Sequence, residues 1–331
     1  MKYAILLGCA IASFVVFSAK ASDIKFEGDI RFRYHIEDDS QAVDLKHMLR
    51  IQAKLGVKVK INNQVDAGLC LASGNNATSA NYTLGNGWGR VDLGIDQAYL
   101  KYTPSQLNGL LNVTAGKIKY PWWTPGNTEL VWDGDVRPEG LNVTLNHKAN
   151  AFTLFSNLGG FVIDSNNPTA ADELLGAIQL GASCRVGVLD IKGAAAFYGY
   201  GGTSVKYRIL NAGVEITTEV SDELTAGVLV DLATNTEGGD YGVLAGVIVK
   251  GSKWKGHANY RLSEEYSVYD DYNDSTFAGG SSDSRGVEVG FGYEILEYTF
   301  INLSVFVCEK DQSKDTKRNV SIVQLDARVK F

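Results

Sequence analysis

A two-residue alternation in two long runs, 24–37 and 49–61, constrains this chain more than any other feature. Ile24, Phe26, Gly28, Ile30, Phe32, Tyr34 and Ile36 fall on one face, while Lys25, Glu27, Asp29, Arg31, Arg33, His35 and Glu37 fall on the other. The next segment repeats the pattern. Leu49, Ile51, Ala53, Leu55, Val57, Val59 and Ile61 oppose Arg50, Gln52, Lys54, Gly56, Lys58 and Lys60. Period two is the signature of a strand with two chemically different faces, and no apolar spacing of three and four competes with it. Each run exceeds the usual length of a strand in a soluble sheet. Each suits a tilted strand crossing a bilayer, which needs about 9–11 residues. Two strands alone also suit a soluble sandwich, so the rest of the chain must decide.

The alternation continues to the C-terminus. Further strands are expected near 65–73, 93–102, 110–119, 140–146, 151–158, 174–184, 189–200, 208–218, 224–234, 241–250, 254–263, 285–294, 299–308 and 319–331. With the first two this makes sixteen. Fourteen and eighteen are the neighbouring counts, because the pattern is weakest between 140 and 184. The connections at 62–64, 103–109, 147–150, 185–188, 219–223, 251–253 and 295–298 are short, whereas 74–92, 120–139, 159–173 and 264–284 are long and rich in Gly, Asn, Ser and Asp. Short turns at one end and long loops at the other mark a vectorially inserted barrel. The expected fold is therefore all-β: a transmembrane antiparallel up-and-down β-barrel of about sixteen strands, with long extracellular loops and short periplasmic turns. Inward positions such as Asn112, Thr114, Asn142, Asn211, Asp231, Asn259, Arg261, Gln324 and Asp326 are polar. A barrel of this size is too wide for side chains to fill, so its interior is expected to be aqueous.

Residues 1–21 read as a secretory signal: Lys2, an apolar run from Ala4 to Phe17, and a small-x-small site at Ala19-Lys20-Ala21. The barrel domain is then 22–331. Leu6-Leu7-Gly8-Cys9 mimics a lipoprotein box, but the apolar run before Cys9 is too short. The formal charge of −7 becomes −9 once Lys2 and Lys20 leave, which argues against a nucleic-acid partner. Cys70, Cys184 and Cys308 are too scattered for a disulfide framework and read as small strand residues. No motif of a nucleophilic, zinc or phosphate-binding enzyme appears around His35, His47, His147 or His257, so no catalysis, cofactor or metal is expected.

With these features in place, the mature chain resembles the Gram-negative outer-membrane porins over its whole length. The final Phe331, closing an alternating terminal strand, resembles the signal read by the outer-membrane barrel-assembly machinery. The stretch 120–141, YPWWTPGNTELVWDGDVRPEGL, also resembles a segment of the "Putative porin" family. The resemblance implies passive diffusion of ions and small hydrophilic solutes through a water-filled channel. It also implies contact with outer-membrane lipid and lipopolysaccharide, and a homotrimer. A substrate-specific channel for sugars or anions, and a non-conducting surface-interaction barrel, are the alternatives.

In porins the third long loop folds into the pore. Here that loop is 120–139, and it carries Glu129, Asp133, Asp135 and Glu139 as candidate constriction acids. It departs from the Pro-Glu-Phe-Gly-Gly element of better-known porins, having Arg137-Pro138-Glu139-Gly140 instead. Arg31, Arg33, Arg50, Lys54 and Lys58 on the first two strands are the candidate basic wall. Acid on the loop facing base on the wall sets up a field across the pore. Trp122 and Trp123 are read chiefly as pins of the loop to the wall, with sugar stacking as the other role. Asp270-Asp271-Tyr272-Asn273-Asp274 is acidic but lacks the Gly and bidentate Glu of a calcium loop.

Overall fold

The computed structural model describes residues 23–149, 151–165 and 171–331. The expected leader therefore lies outside the described residues. The strands are β1 (Asp23–Asp39), β2 (Lys46–Lys60), β3 (Val65–Ser73), β4 (Tyr82–Thr83), β5 (Leu93–Tyr102), β6 (Leu111–Lys117), β7 (Glu139–Ala149), β8 (Phe152–Asp164) and β9 (Glu173–Val186). They continue with β10 (Leu189–Gly201), β11 (Arg208–Ser221), β12 (Leu224–Asn235), β13 (Tyr241–Lys250), β14 (Trp254–Ser263), β15 (Ser284–Leu296), β16 (Thr299–Lys310) and β17 (Arg318–Lys330). All except the two-residue β4 build one antiparallel wall, and β1 pairs with both β2 and β17, so the wall is a closed sixteen-stranded barrel. The sixteen strands expected from alternation are these sixteen.

Closure is completed below the β1–β17 ladder. Gly28 donates its N–H to the Phe331 carbonyl at 2.7 Å and accepts one in return. A side chain at position 28 would strike the Phe331 ring, so the ring needs glycine beneath it. The small β4 lies in the second long loop. It pairs with Arg50 and Ile51 of β2, continuing a ladder that β3 leaves at Lys54.

Burial is inverted relative to a soluble protein. Phe26 is 74% exposed and Leu55 60%, while Arg33 and His35, on the opposite face, are 8% and 4% exposed. An apolar outer belt over a polar interior is what a lipid-facing barrel requires, since every backbone group is satisfied between neighbouring strands. The apolar core lies inside the lumen. Phe161, Leu175, Tyr198, Ile209, Leu229 and Leu244 are inward-facing wall residues on β8–β13, and they are buried together with Trp122, Leu130, Trp132 and Val136 of the third long loop. One sector of the wall is therefore apolar on both faces, which alternation alone does not announce.

Candidate functional site: the lumen and its third loop

The loop joining β6 to β7, residues 118–138 (L3), leaves the rim at a neck where Ile118 donates its N–H to Pro138 O at 2.9 Å. It then turns inward, contacting lumen-facing wall residues and the neighbouring loops. Trp122 is buried, stacking on Trp132 at 4.5 Å between ring centres and meeting Tyr198 and Phe161 edge-on at 5.2 and 5.6 Å. Each fully buried large side chain of this kind contributes roughly 1.5–3 kcal/mol. The reading of Trp122 as a pin follows from this packing. Trp123 is held by its backbone, which exchanges two 2.8 Å hydrogen bonds with the Gln179 amide on β9. Its ring lies under the Lys192 ammonium, 5.0 Å away.

The tip of L3 is a short 3-10 turn at Pro125–Asn127, with Gly126 at φ 61°. There the Gly126 N–H donates to Glu215 on β11 at 2.6 Å, and the Thr128 hydroxyl donates to Asp231 on β12 at 3.1 Å. A Cβ on Gly126 would lie 2.4 Å from the Leu229 side chain, so both the left-handed backbone and the close approach require glycine.

The return arm of L3 joins the loop between β14 and β15, residues 264–283 (L7). Asp133 donates its N–H to Tyr272 O at 2.7 Å, and its carboxylate accepts N–H bonds from Asp135 and Ser275 at 2.8 and 3.0 Å. The Glu129 carboxylate accepts from Gly134 N–H at 2.8 Å. Glu129, Asp133 and Asp274 bring one oxygen each within 4.8 Å of one another. Burial raises all three above the ordinary carboxylate range, and the mutual repulsion of the group adds to it; Asp133 is pushed up to about 6. Of the acidic run 270–274, only Asp274 joins this group.

Beyond the L7 contact, L3 reaches the opposite wall. Asp135 forms an ion pair with Lys54 of β2 at 2.6 Å and accepts the Ala80 N–H at 3.1 Å. Burial opposes ionisation here, but the Lys54 ammonium and the Ala80 N–H outweigh it and hold the Asp135 carboxyl below its ordinary value. Arg137 pairs with Asp96 of β5 at 3.0 Å. Asp96 is the extra residue of a bulge between β3 and β5, which turns it inward.

The expected acid-against-base arrangement is realised in part. Asp135 meets Lys54 directly. Arg33 is instead paired with Asp326 of β17, its Nε at 2.6 Å and Nη2 at 2.8 Å, and Arg31 donates to Gln52 and Asn81 at 2.8 Å each. Lys58 pairs with Glu27 at 2.6 Å. Arg50 lies directly across the ladder from Arg33, and its Nε has no partner among the described residues. Glu139 is a correction: it is the first residue of β7, not a loop residue. It shares the outward parity of the exposed Leu141 and Leu145, and it pairs with Lys117 outside the barrel at 2.5 Å. The strand begins one residue earlier than the alternation suggests, and that step turns the carboxylate away from the pore.

L3 leaves two polar cavities in the lumen. One, of about 710 Å³, is lined by Arg31, Lys54, Lys119, Asp135, Arg328 and Lys330 among others. The second, of about 650 Å³, is lined by Glu215, Lys250, Lys255, His257, Arg261 and Glu288 among others. Glu129 and Arg328 border both. Arg328, whose Nε donates to Asp29 at 2.8 Å, was missed as a site residue. Barrel closure supplies the signal for it: β17 lies beside β1, so same-parity charges on the first and last strands are neighbours.

A closed barrel with a lipid-compatible exterior, a charged lumen and an inserted loop defines a channel-type barrel. A family model described as "Putative porin" matches residues 37–226, and the chain belongs to that family. Solved porins share the fold. A double mutant of the Rhodopseudomonas blastica porin is 13% identical with a TM-score of 0.53, covering 93% of this chain and 100% of that one. The Salmonella typhi OmpF porin in complex with daunomycin is 9% identical with a TM-score of 0.58, covering 93% of this chain and 97% of that one. No curated protein matches the chain.

Proposed function

We propose that this porin is an outer-membrane diffusion channel for ions and small hydrophilic solutes, with L3 as its constriction and no catalytic role. The observation that carries this reading is the path of L3. It is anchored on β9, β11 and β12 on one side and on β2 on the other, with charged cavities of about 710 and 650 Å³ flanking it. Solutes then pass Glu129 and Asp135 on the loop with Arg31, Lys54 and Arg328 on the wall. In a lumen walled by low-dielectric material such charges sort solutes by charge and dipole. Arg33 and Lys58 act mainly through their wall partners Asp326 and Glu27. Residues 1–21 direct export, and Phe331 is read by the barrel-assembly machinery. The apolar belt meets outer-membrane lipid and lipopolysaccharide, and three copies associate.

The test is reconstitution of the folded barrel in a planar bilayer. Stepwise currents in simple salt, on the order of a nanosiemens, are the expected result. A folded, heat-modifiable barrel that passes no current would overturn the reading and favour a surface-interaction role.

A further inference from the structure

The charges that line the two cavities are not equally compensated. Each cavity-lining carboxylate already has a partner. Glu27 pairs with Lys58, Asp29 with Arg328, Asp135 with Lys54, Asp326 with Arg33 and Asp274 with Arg261, while Glu288 is hydrogen-bonded to the His257 imidazole at 3.0 Å. Glu129, Asp133 and Glu215 accept backbone N–H groups. Four cavity-lining lysines, Lys119, Lys250, Lys255 and Lys330, have no carboxylate partner among the described residues, and all four are exposed to the cavities. The Lys119 ammonium lies 5.9 Å from the Tyr120 ring centroid, and Asp135, the carboxylate that acts on it, is already paired with Lys54.

Two of these lysines point to an anion independently. Lys250 of β13 and Lys255 of β14 stand directly opposite each other in the ladder. Like charges in that position repel, so the pair is comfortable only with a mobile counter-ion between them. Paired charges, in contrast, present a short-range dipole to a passing ion. Unpaired ammonium groups act as monopoles over about a Debye length, roughly 8–10 Å at ordinary ionic strength.

We propose that this channel selects for small anions, with Lys119 on L3 and Lys250, Lys255 and Lys330 on the wall as the residues that set the preference. The preference runs against the net charge of the chain, which is −7. Five of the acids lining the two cavities are consumed in ion pairs, Glu129, Asp133, Glu215 and Glu288 are held by N–H groups or an imidazole, and the lining holds eleven Lys and Arg residues against nine Asp and Glu. The inference rests on the porin reading above and specifies the solute class of the same pore.

The test is the reversal potential of the full chain in a planar bilayer across a potassium chloride gradient. The expected chloride-to-potassium permeability ratio exceeds one by roughly threefold at low salt and falls towards one at about 1 M, where screening is strong. Replacing all four lysines (K119Q, K250Q, K255Q, K330Q) should lower the ratio at least about twofold. The control Lys317→Gln, on the outer loop between β16 and β17, should leave it unchanged. A wild-type ratio at or below one, or a ratio that the fourfold variant does not move, would overturn the inference while leaving the porin reading standing. Absence of any current would overturn the porin reading and this inference with it.

Discussion

Asp135 of L3 and Lys54 of β2 form an ion pair at 2.6 Å that ties the free side of the loop to the barrel wall. The two side chains are only 23% and 13% exposed. Asp135→Asn keeps a hydrogen-bond acceptor for the Ala80 N–H but leaves the largely buried Lys54 ammonium without its counter-charge. The cost is on the order of 2 kcal/mol. That is enough to let the return arm of L3 leave the wall part of the time. Single-channel records of the variant should show added substates and a higher mean conductance. Traces indistinguishable from wild type would mean the pair does not hold the loop.

The other side of L3 is held by packing rather than charge. Trp122 is buried against Trp132, Tyr198 and Phe161. Trp122→Ala removes that volume from a filled sector of the lumen, at a cost of about 3–5 kcal/mol. The wall itself is held by its ladders and should survive. The variant barrel is therefore expected to keep its heat-modifiable gel migration while L3 becomes cleavable by a protease added to the solubilised protein. Loss of the folded band together with L3 protection would show that loop and wall fold as one unit.

The contact between L3 and L7 carries a pH dependence whose sign follows from burial. Glu129 and Asp133 are raised above the ordinary range by burial, and so is Asp274; Asp133 moves from 3.8 to about 6. Asp135, the Gly134 and Ser275 N–H groups, Arg261 of β14 and Glu288 of β15 face the group. A carboxyl whose folded value is raised binds its proton more tightly in the docked state. The docked state is therefore favoured below 3.8 and loses that advantage as pH rises through about 6. Open-channel noise should be lower at pH 5 than at pH 8. Asp133→Asn should reduce the difference, because the neutral amide cannot ionise and no longer repels Glu129; an undiminished pH response in that variant would assign it to another group.

Most of the wall was legible in the sequence because two-residue alternation is imposed by the lipid on every strand. Ile24 to Glu37 needs no tertiary information to be read. The site was legible only where it follows from the wall. Lys54 faces inward by parity alone, and an acidic loop is bound to find it. That Asp133 is buried could not be read from the sequence, because its carboxylate accepts the Ser275 and Asp135 N–H groups, the first of them 142 residues away. The pairing of Arg33 with Asp326 and of Arg328 with Asp29 depends on closure of the barrel, which is a property of the whole ring. Asp96 enters the lumen only through a bulge, which breaks the parity that the reading relies on.

Glu129 and Glu139 provide the sharpest contrast between loop and strand. Both are acidic, Glu129 lies within L3 and Glu139 directly follows it, and sequence alone gives them the same role. Glu129 borders both lumen cavities, whereas Glu139 pairs with Lys117 on the outer face with 60% of its side chain exposed. An exposed surface pair of this kind contributes little to stability. Glu139→Gln should therefore leave conductance and ion selectivity at wild-type values. Glu129→Gln keeps the acceptor for the Gly134 N–H while removing a negative charge from the stretch of loop that borders both lumen cavities. It should move the reversal potential further towards anions, and more so at high pH than at low pH, since burial and the neighbouring carboxylates raise the Glu129 carboxyl and protonation removes the charge in wild type as pH falls. Equal shifts from the two variants would mean that the outer rim, not L3, controls entry.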